Sequence, residues 1–147
     1  MSGISWPFVI KTICGTVIAA CTAVVIWRLG PSLETRYFPP VSKLRILSMA
    51  DDGEGRTVIR AEFTKMRDCE YLGIAWFRGE PEGTFERVTV VLMREDGDTS
   101  SPNRPEGTQR AGPWIIGIPP DELIGNSFAR LHHRCHGFWL TTTDFWP

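Results

Sequence analysis

The first 33 residues of this 147-residue chain lack acidic side chains altogether, and they contain only two basic ones, Lys11 and Arg28. The remainder carries 14 basic and 17 acidic residues, a net charge of −3. A domain that binds nucleic acid needs a clustered basic surface. The charge balance therefore excludes nucleic acid as an expected partner.

Motifs of the common catalytic sites are also absent. The chain contains no Gly-x-Ser-x-Gly, no phosphate-binding loop and no His-Glu-x-x-His. Cys135 lies beside His136, but adjacent residues of a strand point to opposite faces, so this pair is a poor nucleophile and base. We expect no enzyme, no catalytic residue and no cofactor.

One long hydrophobic run is present, at the N-terminus. Among the 22 residues from Trp6 to Trp27, only Lys11 is charged. As a helix this run is about 33 Å long, enough to cross a bilayer. It predicts a tail and transmembrane anchor over residues 1–29, with the lipid bilayer as a partner. The residues expected at the membrane interfaces are Trp6, Lys11, Trp27 and Arg28.

Two other fates of this run stay open. A cleaved secretory signal would have a charged start and a shorter apolar core than this sequence has. The segment Ile18–Cys21 resembles a bacterial lipobox, in which Cys21 would be lipidated. Span length and flanking residues favour the uncut anchor over both.

The anchor also carries small residues along one face. Gly15 and Ala19 have the small-xxx-small spacing that allows two helices to approach closely, and Ala23 continues the stripe. This pattern predicts a homodimer through the helix, although small residues are common in membrane helices generally.

Beyond the anchor, residues 30–42 predict an irregular linker and residues 43–147 predict an all-β domain. Short β-branched or alternating segments are separated by Gly, Pro and Asp turns. Seven strands in this length are typical of an antiparallel, immunoglobulin-like sandwich. The predicted strands are Val41–Leu47, Arg56–Thr64, Tyr71–Phe77, Phe85–Met93, Trp114–Ile118, Ser127–Cys135 and Phe138–Phe145.

The domain contains two cysteines, Cys69 and Cys135, each near the end of a predicted strand. We predict that they form a disulfide, which would place the domain outside the cytoplasm. Basic residues on the C-terminal side of the span favour the opposite orientation. We give the cysteines more weight because the N-terminal tail is very short.

All three histidines fall within residues 132–136. His132 and His136 would share a strand face, which makes them weak candidates for metal ligands, but the spacing matches no tetrahedral zinc module. We expect no metal.

The segment Glu95–Pro113 is the longest stretch without a strand pattern. Loops of this length in compact domains are usually functional or disordered. The segment therefore predicts first a mobile exposed loop and second a loop that binds a protein partner, together with the start of the following strand. The candidate contact residues are Asn103, Arg104, Gln109, Arg110 and Trp114.

The C-terminal half resembles uncharacterised small membrane-anchored proteins of proteobacteria and their phages. The shared pieces are Asn103–Gln109, Gly112–Trp114, Cys135–Trp139 and Phe145–Pro147. The resemblance implies a bacterial or phage envelope context, in which the outer compartment is the periplasm.

These observations favour a single-pass protein of the bacterial inner membrane that presents a β-sandwich to a protein partner in the periplasm. The alternatives are a structural protein of a phage virion and a small periplasmic hydrolase. Co-purification with virions would favour the first alternative, and an activity screen would test the second.

Overall fold

The computed structural model describes residues 6–94, 98 and 101–147. Within these residues the chain forms two helices and eight strands. The helices are α1 (Trp6–Tyr37) and α2 (Pro120–Leu123). The strands are β1 (Arg45–Asp51), β2 (Thr57–Lys65), β3 (Glu70–Gly79), β4 (Phe85–Val88), β5 (Val90–Leu92), β6 (Gly107–Ile116), β7 (Ser127–Arg134) and β8 (Thr141–Phe145).

Helix α1 contains the hydrophobic run. It is the one helix of the described residues that is long and apolar enough to cross a membrane, and none of its most apolar 18-residue window is buried against the domain. Exposed apolar surfaces of this size are typical of contacts with a membrane or with another protein. The structure is thus compatible with a single-pass, membrane-anchored protein.

The helix does not end where its sequence suggests. It continues through Gly30 and Pro31 to Tyr37, so much of the segment expected to be an irregular linker is helical. Proline in a helix interior removes one hydrogen bond and crowds the preceding turn. Contacts between the last turns of α1 and the domain offset this cost, as described below.

The strands form two antiparallel four-stranded sheets. Sheet A has the order β1-β2-β6-β5, and sheet B has the order β4-β3-β7-β8. Apolar side chains of both sheets meet in a shared core, with Ile59 and Ile116 from sheet A and Trp76 and Leu131 from sheet B. The expected antiparallel sandwich is confirmed, with eight strands in the described residues rather than seven.

The eighth strand arises because the predicted strand Phe85–Met93 divides. Its first part, β4, pairs with β3 in sheet B, and its second part, β5, pairs with β6 in sheet A. Thr89 lies between them, and its carbonyl accepts a hydrogen bond of 2.8 Å from the amide of Gly117. A run of β-branched residues favours extended backbone without specifying which sheet each half joins.

Strand boundaries shift elsewhere too. Strand β6 begins at Gly107, so the last third of the predicted partner loop is strand. The first strand begins at Arg45, although Val41 forms an isolated bridge. The last begins at Thr141 rather than Phe138.

Candidate functional site at the helix-proximal end of the sandwich

The C-terminal turns of α1 pack against one end of the sandwich, which we call the helix-proximal end. Thr35 donates a hydrogen bond of 2.9 Å from Oγ1 to the carbonyl of Thr142 in β8. Val41, just beyond the helix, bridges to Lys65, the last residue of β2. The helix and the domain are therefore in direct contact.

The carboxylate of Glu34 is the centre of this contact. Its Oε1 accepts a hydrogen bond of 2.7 Å from Nη1 of Arg67. Its Oε2 accepts from Nε1 of Trp139 at 2.7 Å and from Oγ1 of Thr141 at 2.8 Å. Nε2 of His136 lies 3.1 Å from the same oxygen, and it is the donor because a carboxylate only accepts. We call these five residues the Glu34 cluster.

The Glu34 cluster keeps its carboxylate ionised. Burial raises the pKa of Glu34, but hydrogen bonds from the four surrounding side chains outweigh burial and lower this pKa to about 2. Glu34 lies seven residues beyond Trp27, outside the segment expected to span the membrane. A buried carboxylate is stable only with paired donors, so the helix end is tied to the donors that the domain supplies.

Gly30 packs closely against Trp139, a member of the Glu34 cluster. A Cβ atom at position 30 would lie 2.6 Å from Cη2 of the Trp139 ring, closer than such atoms approach in proteins. The missing side chain of Gly30 thus leaves room for the indole whose Nε1 reaches Glu34. This explains why a glycine is tolerated in a helix interior, where it costs about 1 kcal/mol relative to alanine.

The predicted disulfide is confirmed. Cys69 and Cys135 are bonded, with Cα atoms 4.4 Å apart and a separation of 66 positions in the sequence. The bond joins the start of β3 to the end of β7. Arg67 and His136, which flank the two cysteines, both contact Glu34. The cross-link therefore holds two of the donor segments together.

The three histidines have separate surroundings. His136 belongs to the Glu34 cluster, and Nδ1 of His132 lies 3.4 Å from Oγ1 of Thr142. His133 points into the sandwich and is 3% exposed. The described residues contain no group of three or more His, Cys, Asp or Glu side chains arranged to hold a metal ion.

A cavity of about 230 Å³ lies between the two sheets at the helix-proximal end. Phe63 and Trp114 line it from sheet A, and Ile74 and Leu131 line it from sheet B. Two buried polar side chains, Lys65 and His133, also reach it. This cavity combines an apolar wall with hydrogen-bonding groups, as ligand sites commonly do.

Of the five candidate partner residues, Arg104 and Trp114 line this cavity. Asn103 accepts a hydrogen bond of 2.6 Å from the amide of Tyr71 through Oδ1, and Gln109 donates to the carbonyl of Pro105 at 3.1 Å. Both side chains thus help to shape the loop. Residues 95–97, 99 and 100 of the predicted loop lie outside the described residues.

The other three candidates differ in their surroundings. Arg104 forms an ion pair of 3.3 Å with Asp98. Arg110 is exposed on β6, whereas Trp114 is half-buried and packs against the core. Partner binding by this surface stays a prediction.

The predicted membrane-contacting residues all lie on α1 and are exposed. They are Trp6, Lys11, Trp27 and Arg28 for the interfaces and Gly15, Ala19 and Ala23 for self-association. A Cβ atom at Gly15 would meet no atom within 4 Å, so this face is open. Self-association through it also stays a prediction.

Sequence reasoning missed two residues of the candidate site. Glu34 carries no local signal, because its four donors come from distant segments. Lys65 could have been found, since Ile59, Ala61 and Phe63 alternate inward along β2 and Lys65 continues this alternation.

Comparison with known proteins assigns no family. No protein-family model matches the chain, and neither the curated proteins nor the solved structures include a significant match. The functional argument therefore depends on the geometry of the chain itself.

Proposed function

We propose that this protein is a single-pass envelope protein of the bacterial inner membrane that holds its β-sandwich in a fixed orientation, so that the domain binds a protein partner in the periplasm. The Glu34 cluster is the observation that carries this proposal. A domain on a flexible tether would not need a buried, four-donor contact with its own anchor.

The position of Glu34 supports close placement of the domain on the membrane. Glu34 lies seven positions beyond Trp27 on the same helix, which is a rise of about 10 Å along the helix axis. Gly30, which packs against Trp139 of the β7–β8 loop, is closer still. A surface of the sandwich is thus presented at a defined height and angle, which favours engagement of another membrane or membrane-adjacent protein.

The disulfide supports the periplasmic side. Bonds of this kind persist in oxidising compartments such as the bacterial periplasm and are rare in the cytosol. The bond between Cys69 and Cys135 favours an N-terminus in the cytoplasm and a domain outside it, against the distribution of basic residues near the span.

An exposed edge supports protein binding. Strand β5 is an edge of sheet A, and Val91, Leu92 and Met93 are each more than two-fifths exposed. Arg110 and Asn103 lie on the neighbouring β6 and its preceding loop. An apolar edge with a polar and basic rim is typical of a protein-binding surface.

The strand order supports an immunoglobulin-like relationship. If β1 to β8 are given the letters A, B, C, C′, D, E, F and G, sheet A has the order ABED and sheet B has the order C′CFG. This is the immunoglobulin order with one added strand, C′. Trp76, fully buried on β3, occupies the strand that carries the core tryptophan of that fold. The cross-link differs, because Cys69 and Cys135 flank neighbouring strands of one sheet.

Topology is tested by thiol labelling in intact cells. A cysteine placed at the exposed Glu82 should react with a membrane-impermeant maleimide once the outer membrane is permeabilised, whereas one placed at Ser2 should react only after lysis. Both variants would carry serine at Cys14 and Cys21. Labelling in the reverse order would overturn the periplasmic assignment.

Partner binding is tested by site-specific photocrosslinking in membranes. A crosslinker at Arg110 should yield a discrete adduct. A crosslinker at Glu82, in the turn between β3 and β4, should yield none. Absence of an adduct at position 110, or adducts of equal yield at both positions, would contradict the proposed surface.

A further inference from the structure

The cavity between the sheets has the chemistry of a ligand site rather than that of a packing defect. Protein interiors are closely packed and contain few voids larger than a water molecule. The cavity between the two sheets, in contrast, has a volume of about 230 Å³. Phe63, Ile74 and Trp114 border it and pack on the core while remaining partly accessible.

The size of the cavity limits what it accepts. An engineered apolar cavity of about 150 Å³ binds benzene, so the present volume suits a body of roughly nine non-hydrogen atoms. Phospholipids and typical drug-sized molecules are too large, since their sites measure about 300–1,000 Å³. The apolar walls favour an aromatic or branched hydrocarbon body.

The polar end of the cavity contains Lys65, which is 4% exposed. Its Nζ donates one hydrogen bond of 2.6 Å to the carbonyl of Arg104. An ammonium has three donors. The carboxylate of Asp68 lies 3.5 Å away, but its side chain is 92% exposed and so competes with water for this contact. Lys65 therefore has donor capacity left for a ligand.

His133 is the second polar side chain that lines the cavity. Its Nδ1 is fully buried, with no hydrogen-bond partner among the described residues, so this atom is closed off from the cavity itself. Its ring packs edge-on against Tyr71, with centroids 5.8 Å apart, which holds the imidazole at the cavity wall.

The charges around the cavity favour an anion. Three basic residues line it, Lys65, Arg94 and Arg104. The carboxylates that pair with two of them, those of Asp68 and Asp98, are not among its described lining residues. Burial, with a further contribution from the Lys65 ammonium, lowers the pKa of His133 to about 4, so the imidazole is neutral at pH 7.

We propose that this cavity binds a small apolar monocarboxylate, whose hydrocarbon body fills the space between Phe63, Ile74 and Trp114. The carboxylate accepts a hydrogen bond from Nζ of Lys65, and His133 forms part of the wall beside it. The remaining donor capacity of the buried ammonium is then used. The proposal is independent of membrane topology and of the protein partner.

The test uses the full-length protein in detergent micelles, with benzoate as the probe and the neutral isostere benzamide for comparison. Dissociation constants are measured by ligand-detected NMR. Benzoate should bind at least about tenfold more tightly than benzamide, as expected for a charge-assisted hydrogen bond. Benzoate should also shift the ring resonances of His133, which lines the cavity.

Two lysine variants sharpen the test. Lys65→Met keeps the aliphatic stem, and it should weaken benzoate binding by about tenfold while changing benzamide binding little. Lys43→Met, at an exposed position, should bind both probes like the parent.

Equal affinity for the two probes, benzoate binding retained by Lys65→Met, or no binding of benzoate at about 20 mM would overturn the proposal. If Lys65→Met does not fold, the comparison of the two probes and the His133 resonance in the parent protein still decide it.

Discussion

Glu34 and Thr141 are 107 positions apart in the chain, yet Oγ1 of Thr141 donates a hydrogen bond of 2.8 Å to Oε2 of Glu34. The first residue lies on α1, and the second begins the last strand. Through this pair and its neighbours, the orientation of α1 depends on the folding of the sandwich.

Replacement of Glu34 by glutamine should therefore destabilise the whole domain. The amide leaves Arg67 without its carboxylate and has one acceptor oxygen where four donors converge. Breaking a buried ion pair costs about 3–5 kcal/mol, and partial exposure of Arg67 reduces the expected loss to about 2 kcal/mol. The measurement is urea unfolding in micelles, followed by tryptophan fluorescence.

Glu62→Gln is the matched control for Glu34→Gln. Glu62 pairs with Arg45 at 2.6 Å, but the Arg45 side chain is 71% exposed. Loss of the Glu62 carboxylate should change the free energy of unfolding by less than about 1 kcal/mol. Equal effects of the two variants would show that the Glu34 cluster has no special role.

Replacement of Gly30 by leucine should expel the Trp139 ring and weaken its hydrogen bond to Glu34. Overpacking of this kind costs about 1–3 kcal/mol. The Trp139 indole resonance in ¹H–¹⁵N spectra should move or broaden, and the unfolding midpoint should fall. Gly15→Leu, in open space on the same helix, should leave both unchanged.

Removal of the disulfide by serine at Cys69 and Cys135 should cost about 4 kcal/mol, from the entropy of closing so long a loop. The same double change at Cys14 and Cys21, which are exposed on α1, should leave the unfolding midpoint of the domain unchanged. An unchanged midpoint for the first pair would contradict a stabilising cross-link.

The lowered pKa of His133 predicts that the protein loses stability in mild acid. The folded pKa of about 4 lies below the unfolded value of about 6.5, so the unfolded chain binds a proton first as pH falls. This contribution is complete above pH 6.5 and is lost between about pH 6.5 and 4. From pH 7 to 5 the loss should be about 2 kcal/mol.

The variant His133→Asn should lack this part of the pH dependence. Glu34 does not interfere, because its lowered pKa acts in a separate window, between about pH 4.5 and 2. Unfolding measured at pH 7 and 5 on both proteins gives the difference. Equal pH dependence in the two proteins would contradict a buried neutral histidine.

Two strand segments show how much of the fold the local sequence pattern predicts. In β2, Ile59, Ala61 and Phe63 face inward as their alternation predicts. The run that contains β4 and β5 shows no local signal for its division at Thr89, because both strands favour extended backbone. Only the neighbouring strands decide which sheet each of them joins.

The sequence by itself determined the anchor and the class of the domain. An uncharged run between Trp6 and Trp27 and short strands separated by turns depend on local composition and periodicity. Only the tertiary structure decided that α1 continues past Gly30 and that Glu34 is buried. The donors to that carboxylate come from segments around residues 67 and 136–141, and local pattern contains no information about which distant groups will meet.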